Sequence, residues 1–373
     1  MKIVIDDKIP YIKGVLEPFA DVIYLSGDKT NGEVVKDADA LITRTRTICN
    51  EEILIGSTVK FIATATIGFD HIDTDYCEKA NIAWTNAPGC NSKSVEQYIA
   101  SALMVLAEKH QFSLTEKTIG IVGVGNVGSK VARLCETLGM RVLLNDPPRV
   151  RREKLKGYVG LDKILEQSDI ITLHVPLNID GEDLTFHLAD SNFFSKAKQK
   201  PILINSCRGE IIDTNSLKQA LKDGQLSGAV IDCWENEPAI DLELLSLVDL
   251  ATPHIAGYSR DGKANGTSMS IRALSKFFKL GIDNWKCSDI ELPDNLDIFI
   301  DGTGKATQQI LSDAILATYD IRSDDKKLRS SVKTFEKQRG DYPVRREFPV
   351  YRIFCKINNI KAITKLKQLG FKL

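Results

Sequence analysis

The sequence of 373 residues contains no apolar run of the roughly 18 residues that a transmembrane helix needs. Its net charge is only −1 at pH 7, so the overall charge gives no reason to expect nucleic acid or a membrane as a partner. The eight cysteines include no Cys-x-x-Cys pair, which favours buried free thiols over a disulfide framework or a zinc site. The first residues also lack the apolar core of a signal peptide. We therefore expect a cytoplasmic protein that holds no metal and binds neither nucleic acid nor membrane.

The composition is that of a globular protein, with 43% hydrophobic and 27% charged residues, and the length predicts two or three domains. The charge is distributed unevenly. Residues 321–373 contain 15 lysines and arginines against five acidic residues. This basic segment could bind an anionic substrate, an acidic partner chain or nucleic acid, or it could form a solvated or subunit-contacting face.

Short apolar runs separated by amphipathic stretches predict two parallel sheets covered by helices. The first ninety residues contain five such strands, and a long helix over 92–112 follows them. Six further strands are predicted at 118–122, 141–145, 170–174, 202–206, 229–232 and 250–252. Six strands with crossover helices are typical of a doubly wound dinucleotide-binding (Rossmann) domain.

The predicted fold is therefore α/β, with the Rossmann domain at 94–258 inserted into a smaller α/β domain. That smaller domain consists of residues 1–93 and 259–282. From residue 283 the pattern changes to strands at 297–300 and 350–355 and helices at 306–319, 326–338 and 360–369. We interpret residues 283–373 as a third, small α+β domain.

A Gly-x-Gly-x-x-Gly pattern, formed by Gly123, Gly125 and Gly128, lies between a predicted strand and a predicted helix. The first glycine permits a tight turn, the second lets the backbone approach a pyrophosphate, and the third allows helix and strand to pack closely. Asn126 and Val127 would offer backbone N–H groups to the phosphates at the helix N-terminus. The alternative is a structural strand–turn–helix without a ligand.

The next predicted strand ends at Asp146, 18 residues beyond Gly128. A carboxylate at this place accepts hydrogen bonds from the adenosine ribose and repels the additional phosphate of NADP. The sequence therefore predicts NAD as the cofactor. Val175 and Asp232, at the carboxyl ends of later strands, would line the nicotinamide side.

Three polar residues follow the late strands at the edge where such sheets bind ligands: Arg208, Glu237 and His254. A histidine suits the transfer of a hydroxyl proton because it titrates near neutral pH. A carboxylate can orient its ring and stabilise its protonated form, and an arginine fork can hold a substrate carboxylate. We predict His254 as the acid/base, Glu237 as its partner and Arg208 as the substrate clamp. The other four histidines read as core, surface or loop residues.

Residues 1–280 resemble the D-isomer-specific 2-hydroxyacid dehydrogenases. The resemblance is carried by Asn86-Ala-Pro-Gly89, the glycine pattern, Asp146, Asn205-Ser-Cys-Arg-Gly209, Glu237-Pro238 and Pro253-His-Ile-Ala-Gly257. It implies NAD-dependent oxidation of a small 2-hydroxy acid, with Arg208, Glu237 and His254 as the catalytic set. It also makes Gly257 a cofactor-binding candidate.

Closer details resemble a branch of that family with a phosphorylated substrate. They are Thr64-Ala-Thr66, Gly68-Phe-Asp-His71, Asn145-Asp-Pro-Pro-Arg149, His254-Ile-Ala-Gly-Tyr258 and the extra C-terminal domain. This implies that Thr45, Thr66 and Tyr258 contact the substrate and that the C-terminal domain forms a homodimer. Val175 stands where that branch has threonine, so only a backbone contact with NAD would survive there.

Two alternatives stay open at this point. The substrate could be another D-hydroxy acid such as 3-phosphoglycerate, and the chain could instead be an NAD(H)-responsive corepressor-like binding protein. For the substrate phosphate, the candidate cations are Arg44 and Arg46 after a first-domain strand, or Arg345 and Arg346 from a partner subunit. Arg46 could equally be a surface charge.

Overall fold

The computed structural model describes residues 1–356 and 359–373 and divides into two compact units. The first unit consists of Met1–Asn91 with Ser259–Leu292, and the second of Ser92–Tyr258 with Pro293–Leu373. The C-terminal residues thus belong to the same compact unit as the predicted cofactor sheet. The division into three domains with a boundary at residue 283 stays a prediction.

The first unit is built on a parallel sheet whose strands are short and apolar except at their ends. Its elements up to residue 91 are β1 (Lys2–Asp6), β2 (Asp21–Leu25), α1 (Gly32–Val35), β3 (Ala40–Thr43), α2 (Glu51–Leu54), β4 (Phe61–Thr64), α3 (Thr74–Lys79) and β5 (Ala83–Thr85). The strand order is β2-β1-β3-β4-β5, with every neighbouring pair parallel. This is the flavodoxin-like order, in which ligands bind at the carboxyl ends of the strands.

The second unit contains the larger sheet. Its elements up to residue 258 are α4 (Ser92–Lys109), β6 (Thr118–Val122), α5 (Gly128–Leu138), β7 (Arg141–Asn145), α6 (Pro147–Glu153), α7 (Leu161–Gln167), β8 (Ile170–Leu173), α8 (Ser191–Ser195), β9 (Ile202–Asn205), α9 (Thr214–Lys222), β10 (Gly228–Ile231), α10 (Leu242–Leu247) and β11 (Leu250–Ala251). The order is β11-β10-β9-β8-β6-β7, all parallel, and a bridge from Leu144 to Tyr158 extends the outer edge. The order reverses between β6 and β8, which is the switch point where dinucleotides bind.

The remaining elements are one long helix of the first unit and the C-terminal segment, by which we mean Pro293–Leu373. They are α11 (Arg260–Phe278), β12 (Asp297–Asp301), α12 (Thr307–Thr318), α13 (Ile321–Ser330), α14 (Phe335–Gly340), β13 (Arg352–Lys356) and α15 (Ile360–Gln368). Strands β12 and β13 pair in parallel. The predicted doubly wound α/β fold with an added α+β segment is confirmed.

The C-terminal segment shares a hydrophobic core with the large sheet. Ile119 and Ile121 of β6 belong to the same buried cluster as Ile310 of α12 and Leu366 of α15. Helix α4 is buried on nearly every side, including its polar Gln97, whose Nε2 donates to Thr318 Oγ1 at 3.1 Å. Buried polar atoms need such partners. Helix α4 therefore contacts the C-terminal segment through hydrogen bonds as well as through apolar packing.

One predicted helix is wrong. The pattern at 326–338 predicts a single helix, but α13 ends at Ser330 and a 3₁₀ turn at Val332–Thr334 separates it from α14. Ser331 has non-helical backbone angles (φ −158°, ψ 83°), which break the helix. Phe335 is buried just after this break. None of the described helices is long and apolar enough to cross a bilayer.

Candidate functional site

The loop after β6 has the geometry that each of its three glycines was predicted to need. Gly123 has φ +87°, and a Cβ there would lie 2.6 Å from the carbonyl oxygen of His174. A Cβ at Gly128 would lie 2.0 Å from the carbonyl oxygen of Gly123, so the helix could not pack on the loop. At Gly125, by contrast, no heavy atom of the described residues other than its chain neighbours lies within 4 Å of the Cβ position. The loop is therefore closely packed at Gly123 and Gly128 but accessible at Gly125, where the cofactor phosphates approach in this fold.

Asp146 caps α6 and is fixed beside this loop. Its Oδ2 accepts from the N–H of Val124 at 2.8 Å, and its Oδ1 accepts from the N–H of Arg149 at 3.0 Å. Each carboxylate oxygen has two lone pairs, so both can still accept from ribose hydroxyls. Asp146 and the glycine loop thus fit the adenosine and pyrophosphate of NAD, with Asn126 and Val127 at the start of α5.

Asp232 has a structural function that the sequence did not reveal. It is completely buried, its Oδ1 accepts from Thr252 Oγ1 (2.6 Å) and Ile255 N (2.8 Å), and its Oδ2 accepts from Ala256 N (2.9 Å). Burial raises the pKa of this carboxyl, against the opposing influence of His254 and of its hydrogen bonds. The predicted nicotinamide-side contacts of Asp232, Val175 and Gly257 stay predictions.

Glu237 and His254 are brought together after β10 and β11. Glu237 Oε2 lies 2.8 Å from His254 Nδ1, and its Oε1 accepts from the N–H of Trp234, also at 2.8 Å. The carboxylate is thus held by the backbone while it orients the ring. Because Nδ1 faces Glu237, Nε2 is the nitrogen left to exchange a proton with a ligand.

Arg208 follows β9, next to the segment that carries Glu237. Asn205 Nδ2 donates to the carbonyls of both Arg208 (2.8 Å) and Cys233 (3.3 Å), which ties the ends of β9 and β10 together. A Cβ at Gly209 would lie 2.0 Å from the carbonyl of Trp234, so only glycine lets the two segments approach this closely. The structure therefore places the three predicted catalytic residues on three adjacent strand ends.

Cys233, Glu237 and His254 have potential ligand atoms within 4.8 Å of one another. Metal binding by cysteine requires a thiolate. Burial and the neighbouring Asp232 and Glu237 charges raise the pKa of Cys233 well above its ordinary value, and its Sγ donates to the carbonyl of Cys207 at 3.4 Å. We therefore interpret the cluster as an acid–base pair rather than as a metal site.

The other histidines have structural partners. His174 Nε2 lies 3.0 Å from Thr172 Oγ1, and burial lowers the pKa of His174 to about 3. His71 Nε2 lies 3.2 Å from Thr64 Oγ1, and burial lowers its pKa too. His110 and His187 pair with Asp249 and Glu235, respectively.

In the first unit, the predicted substrate residues lie after two neighbouring strands. Thr43 of β3 is in register with Thr64 of β4, so the loops with Arg44, Thr45 and Arg46 and with Thr66 leave the same edge of the sheet. Thr66 Oγ1 donates to the carbonyl of Gly68 at 2.9 Å, whereas Thr45 and Arg46 are exposed. Arg44 is half-buried and donates to the carbonyl of Lys8 at 3.2 Å.

Lys263, in the first turns of α11, is a functional candidate that the sequence did not reveal. Burial and the nearby positive charges of Arg44 and Arg260 lower the pKa of Lys263 to about 8, against the opposing charge of Glu291. The structure thus adds a second cation beside Arg44 within the first unit. No motif marks Lys263, because only the fold places it near Arg44.

The alternative that Arg345 and Arg346 clamp a phosphate in a partner subunit is wrong for Arg345. Both residues are buried within their own chain, at 3% and 6% exposure. The guanidinium of Arg345 donates to three main-chain carbonyls of the second unit.

Tyr258 is the predicted substrate residue of the second unit. Its ring packs edge to face against the ring of Tyr342, with 5.7 Å between the ring centroids.

Comparison with known proteins agrees with this geometry. Residues 92–256 match the model of the D-isomer specific 2-hydroxyacid dehydrogenase NAD binding domain, and residues 297–370 match a domain of unknown function. A D-lactate dehydrogenase of Aquifex aeolicus, solved with NAD and lactic acid, is 28% identical with a TM-score of 0.63 and covers 76% of this chain and 97% of its own. An NAD-bound 3-phosphoglycerate dehydrogenase of Entamoeba histolytica is 25% identical with a TM-score of 0.64, covering 78% and 99%. The prediction of NAD as cofactor is confirmed.

Full-length similarity is higher to one branch of this family. The erythronate-4-phosphate dehydrogenase of Bacteroides fragilis is 53% identical over 95% of this chain and 99% of the relative. That of Proteus mirabilis is 42% identical over 100% of this chain and 99% of the relative. Because these relatives are named dehydrogenases, they give no support to the alternative of a corepressor-like binding protein. The chain belongs to the D-isomer specific 2-hydroxyacid dehydrogenase family, and within it to the branch whose members are named erythronate-4-phosphate dehydrogenase.

Proposed function

We propose that the protein oxidises 4-phospho-D-erythronate at C2 to 3-hydroxy-2-oxo-4-phosphooxybutanoate with NAD, as a step of pyridoxal 5′-phosphate biosynthesis. The observation that carries the proposal is the 2.8 Å His254–Glu237 pair, formed between the ends of β11 and β10, with Arg208 at the end of the neighbouring β9. Similarity over nearly the whole chain to erythronate-4-phosphate dehydrogenases supports the choice of substrate.

In this reaction the C2–H bond breaks and a C2=O double bond forms. NAD, when bound, accepts the hydride from C2. His254 Nε2 takes the hydroxyl proton, and Glu237 stabilises the positive charge that then develops on the ring. Arg208 holds the substrate carboxylate and polarises the C2 oxygen. Thr45, Thr66 and Tyr258 would contact the C3 hydroxyl and the oxygens of the same carboxylate.

The phosphate requires cations of its own. We propose Arg44 and Lys263 of the first unit for this role, because Arg44 is half-buried at a strand end and Lys263 lies within its electrostatic range. Arg46 is exposed and is a weaker candidate.

We also propose a homodimer formed through the C-terminal segment. Phe299 of β12 and Phe354 of β13 are register partners whose rings stack at 5.1 Å, yet they are 77% and 48% exposed. A paired aromatic surface on a two-stranded sheet is typical of a protein interface. The partner would be a second copy of this chain.

The catalytic assignment predicts that His254→Ala lowers kcat by at least ~100-fold, as expected for the loss of a general acid/base. The dissociation constant for NADH, measured by fluorescence, should change little. Glu237→Gln keeps an oxygen facing Nδ1 but removes the charge that stabilises the protonated ring, so its pH–rate profile should move to lower pH. A His254→Ala protein with a near-normal rate would contradict the mechanism.

The phosphate assignment predicts that Arg44→Ala and Lys263→Ala each lower kcat/KM for 4-phospho-D-erythronate by about 10- to 100-fold, the cost of one or two charged hydrogen bonds. Unphosphorylated erythronate should be little affected, and the control Arg46→Ala should be milder. Because Lys263 has a pKa of about 8, it loses its charge as the pH rises through that value. The kcat/KM of the phosphorylated substrate should therefore fall above pH 8, and Lys263→Arg should abolish this fall. Equal losses for both substrates would refute the assignment.

The dimer assignment predicts that Phe299→Lys combined with Phe354→Lys gives a monomer in sedimentation velocity at micromolar concentration. Ile179→Lys is the matched control, because Ile179 is 73% exposed but lies outside the C-terminal segment. This control and the unmodified protein should both sediment as dimers. A monomeric unmodified protein, or a dimeric double variant, would speak against this interface.

A further inference from the structure

The two residues after His254 have all four of their main-chain polar groups engaged. On one side, Asp232 accepts from the N–H groups of Ile255 and Ala256 at 2.8 and 2.9 Å. On the other side, the guanidinium of Arg345 donates to the carbonyls of the same two residues, at 3.3 Å from Nη1 and 2.6 Å from Nη2. The buried carboxyl of Asp232 and the buried guanidinium of Arg345 therefore hold this short loop between them.

The loop needs external support because its backbone is strained. His254 has φ +53°, in the left-handed region that a residue with a side chain adopts only at an energetic cost. Such a conformation persists only where the surroundings impose it. The N–H of His254 donates to the Asp232 carbonyl at 2.8 Å, so Asp232 fixes the residue from one direction. Arg345 supplies the opposing contacts.

Arg345 is itself held firmly in place. It is 3% exposed, its Nη2 also donates to the carbonyl of Ser94 in α4 at 2.7 Å, and its guanidinium lies 4.3 Å from the ring centroid of Tyr319. The hydroxyls of Tyr319 and Tyr342 donate to Asp324 Oδ2 at 3.0 and 2.8 Å, which fixes the aromatic residues around the arginine. A planar fork with several donors suits this task, and a lysine cannot reproduce it.

We propose that Arg345 is a positioning residue for the catalytic histidine, and that through it the C-terminal segment keeps the dehydrogenase site in its active geometry. The proposal rests on the proposed function, because it concerns the same reaction. The segment gains a role in catalysis in addition to the proposed dimer contact. The C-terminal segment matches a domain of unknown function over residues 297–370. The solved D-lactate and 3-phosphoglycerate dehydrogenases named above cover only 76% and 78% of this chain.

The chain offers a matched control in Arg329. This arginine also belongs to the C-terminal segment and also donates to two main-chain carbonyls of the second unit, those of Leu245 (2.5 Å) and Val248 (3.0 Å). Those carbonyls lie at the end of α10, outside the His254 loop. Arg329→Lys therefore removes the same kind of contact without touching the loop.

The test compares Arg345→Lys with Arg329→Lys by kinetics, NADH binding and hydrogen exchange in the full-length protein. Misplacement of a catalytic group by a fraction of an ångström costs rate, so Arg345→Lys should lower kcat by at least about tenfold. Its dissociation constant for NADH should stay within twofold of the unmodified protein. A peptide covering 252–258 should exchange faster in Arg345→Lys, and one covering 242–250 faster in Arg329→Lys, whose kcat should stay within twofold.

A kcat for Arg345→Lys within twofold of the unmodified protein would overturn the proposal, as would an equal loss in Arg329→Lys. Unchanged exchange at 252–258 would overturn it as well. Should Arg345→Lys fail to fold, Tyr319→Leu removes the ring beside the guanidinium and should lower kcat and speed exchange at 252–258 in the same way. The exchange measurement does not depend on the substrate, so a failure of the proposed function appears separately, as absent activity in the unmodified protein.

Discussion

The catalytic end of the large sheet depends on one buried carboxylate, that of Asp232. Removing a carboxylate from water is costly unless hydrogen bonds replace its hydration. Asp232 meets this requirement with one hydroxyl and two backbone N–H groups, all supplied by the segment 252–256. Because these donors come from the residues around His254, satisfying the buried charge also fixes the catalytic loop. Stability and catalytic geometry are therefore set by the same contacts.

This dependence extends to the neighbouring strand ends. Thr252, which donates to Asp232, has its own carbonyl bonded to Trp234 Nε1 at 2.9 Å. The N–H of Trp234 in turn donates to Glu237, the partner of His254. The chain of contacts thus runs from the buried anion to the acid–base pair without leaving the carboxyl edge of the sheet.

The sequence predicted those features whose causes are local. Apolar runs predicted the eleven strands of the two sheets within a few residues, because strands covered on both faces are continuously apolar. The glycine loop could be predicted because its constraints act between residues a few positions apart, as at Gly123 and Gly128. The trio of Arg208, Glu237 and His254 followed from strand ends meeting at one edge.

Features that depend on distant residues could not be predicted in this way. In the sequence Arg345 is one more charge of a basic segment. Only the fold shows that it is buried and that it binds the carbonyls of Ile255 and Ala256, about ninety positions earlier in the chain. Lys263 similarly lies on a long helix with no motif, and its surroundings alone lower its pKa. The break at Ser331 was missed because the apolar periodicity continues across it. Leu328 and Phe335, seven positions apart, lie in the same buried cluster.

The central claim is that this site oxidises a phosphorylated 2-hydroxy acid at C2. The most direct test is the rate of NADH formation with 4-phospho-D-erythronate, 3-phosphoglycerate, D-glycerate and D-lactate under identical conditions. We expect kcat/KM to be highest for 4-phospho-D-erythronate, by at least about tenfold. Its phosphate contributes charged hydrogen bonds that glycerate and lactate lack and that 3-phosphoglycerate, one carbon shorter, cannot align equally well. A higher kcat/KM for any of the other three acids would contradict that claim.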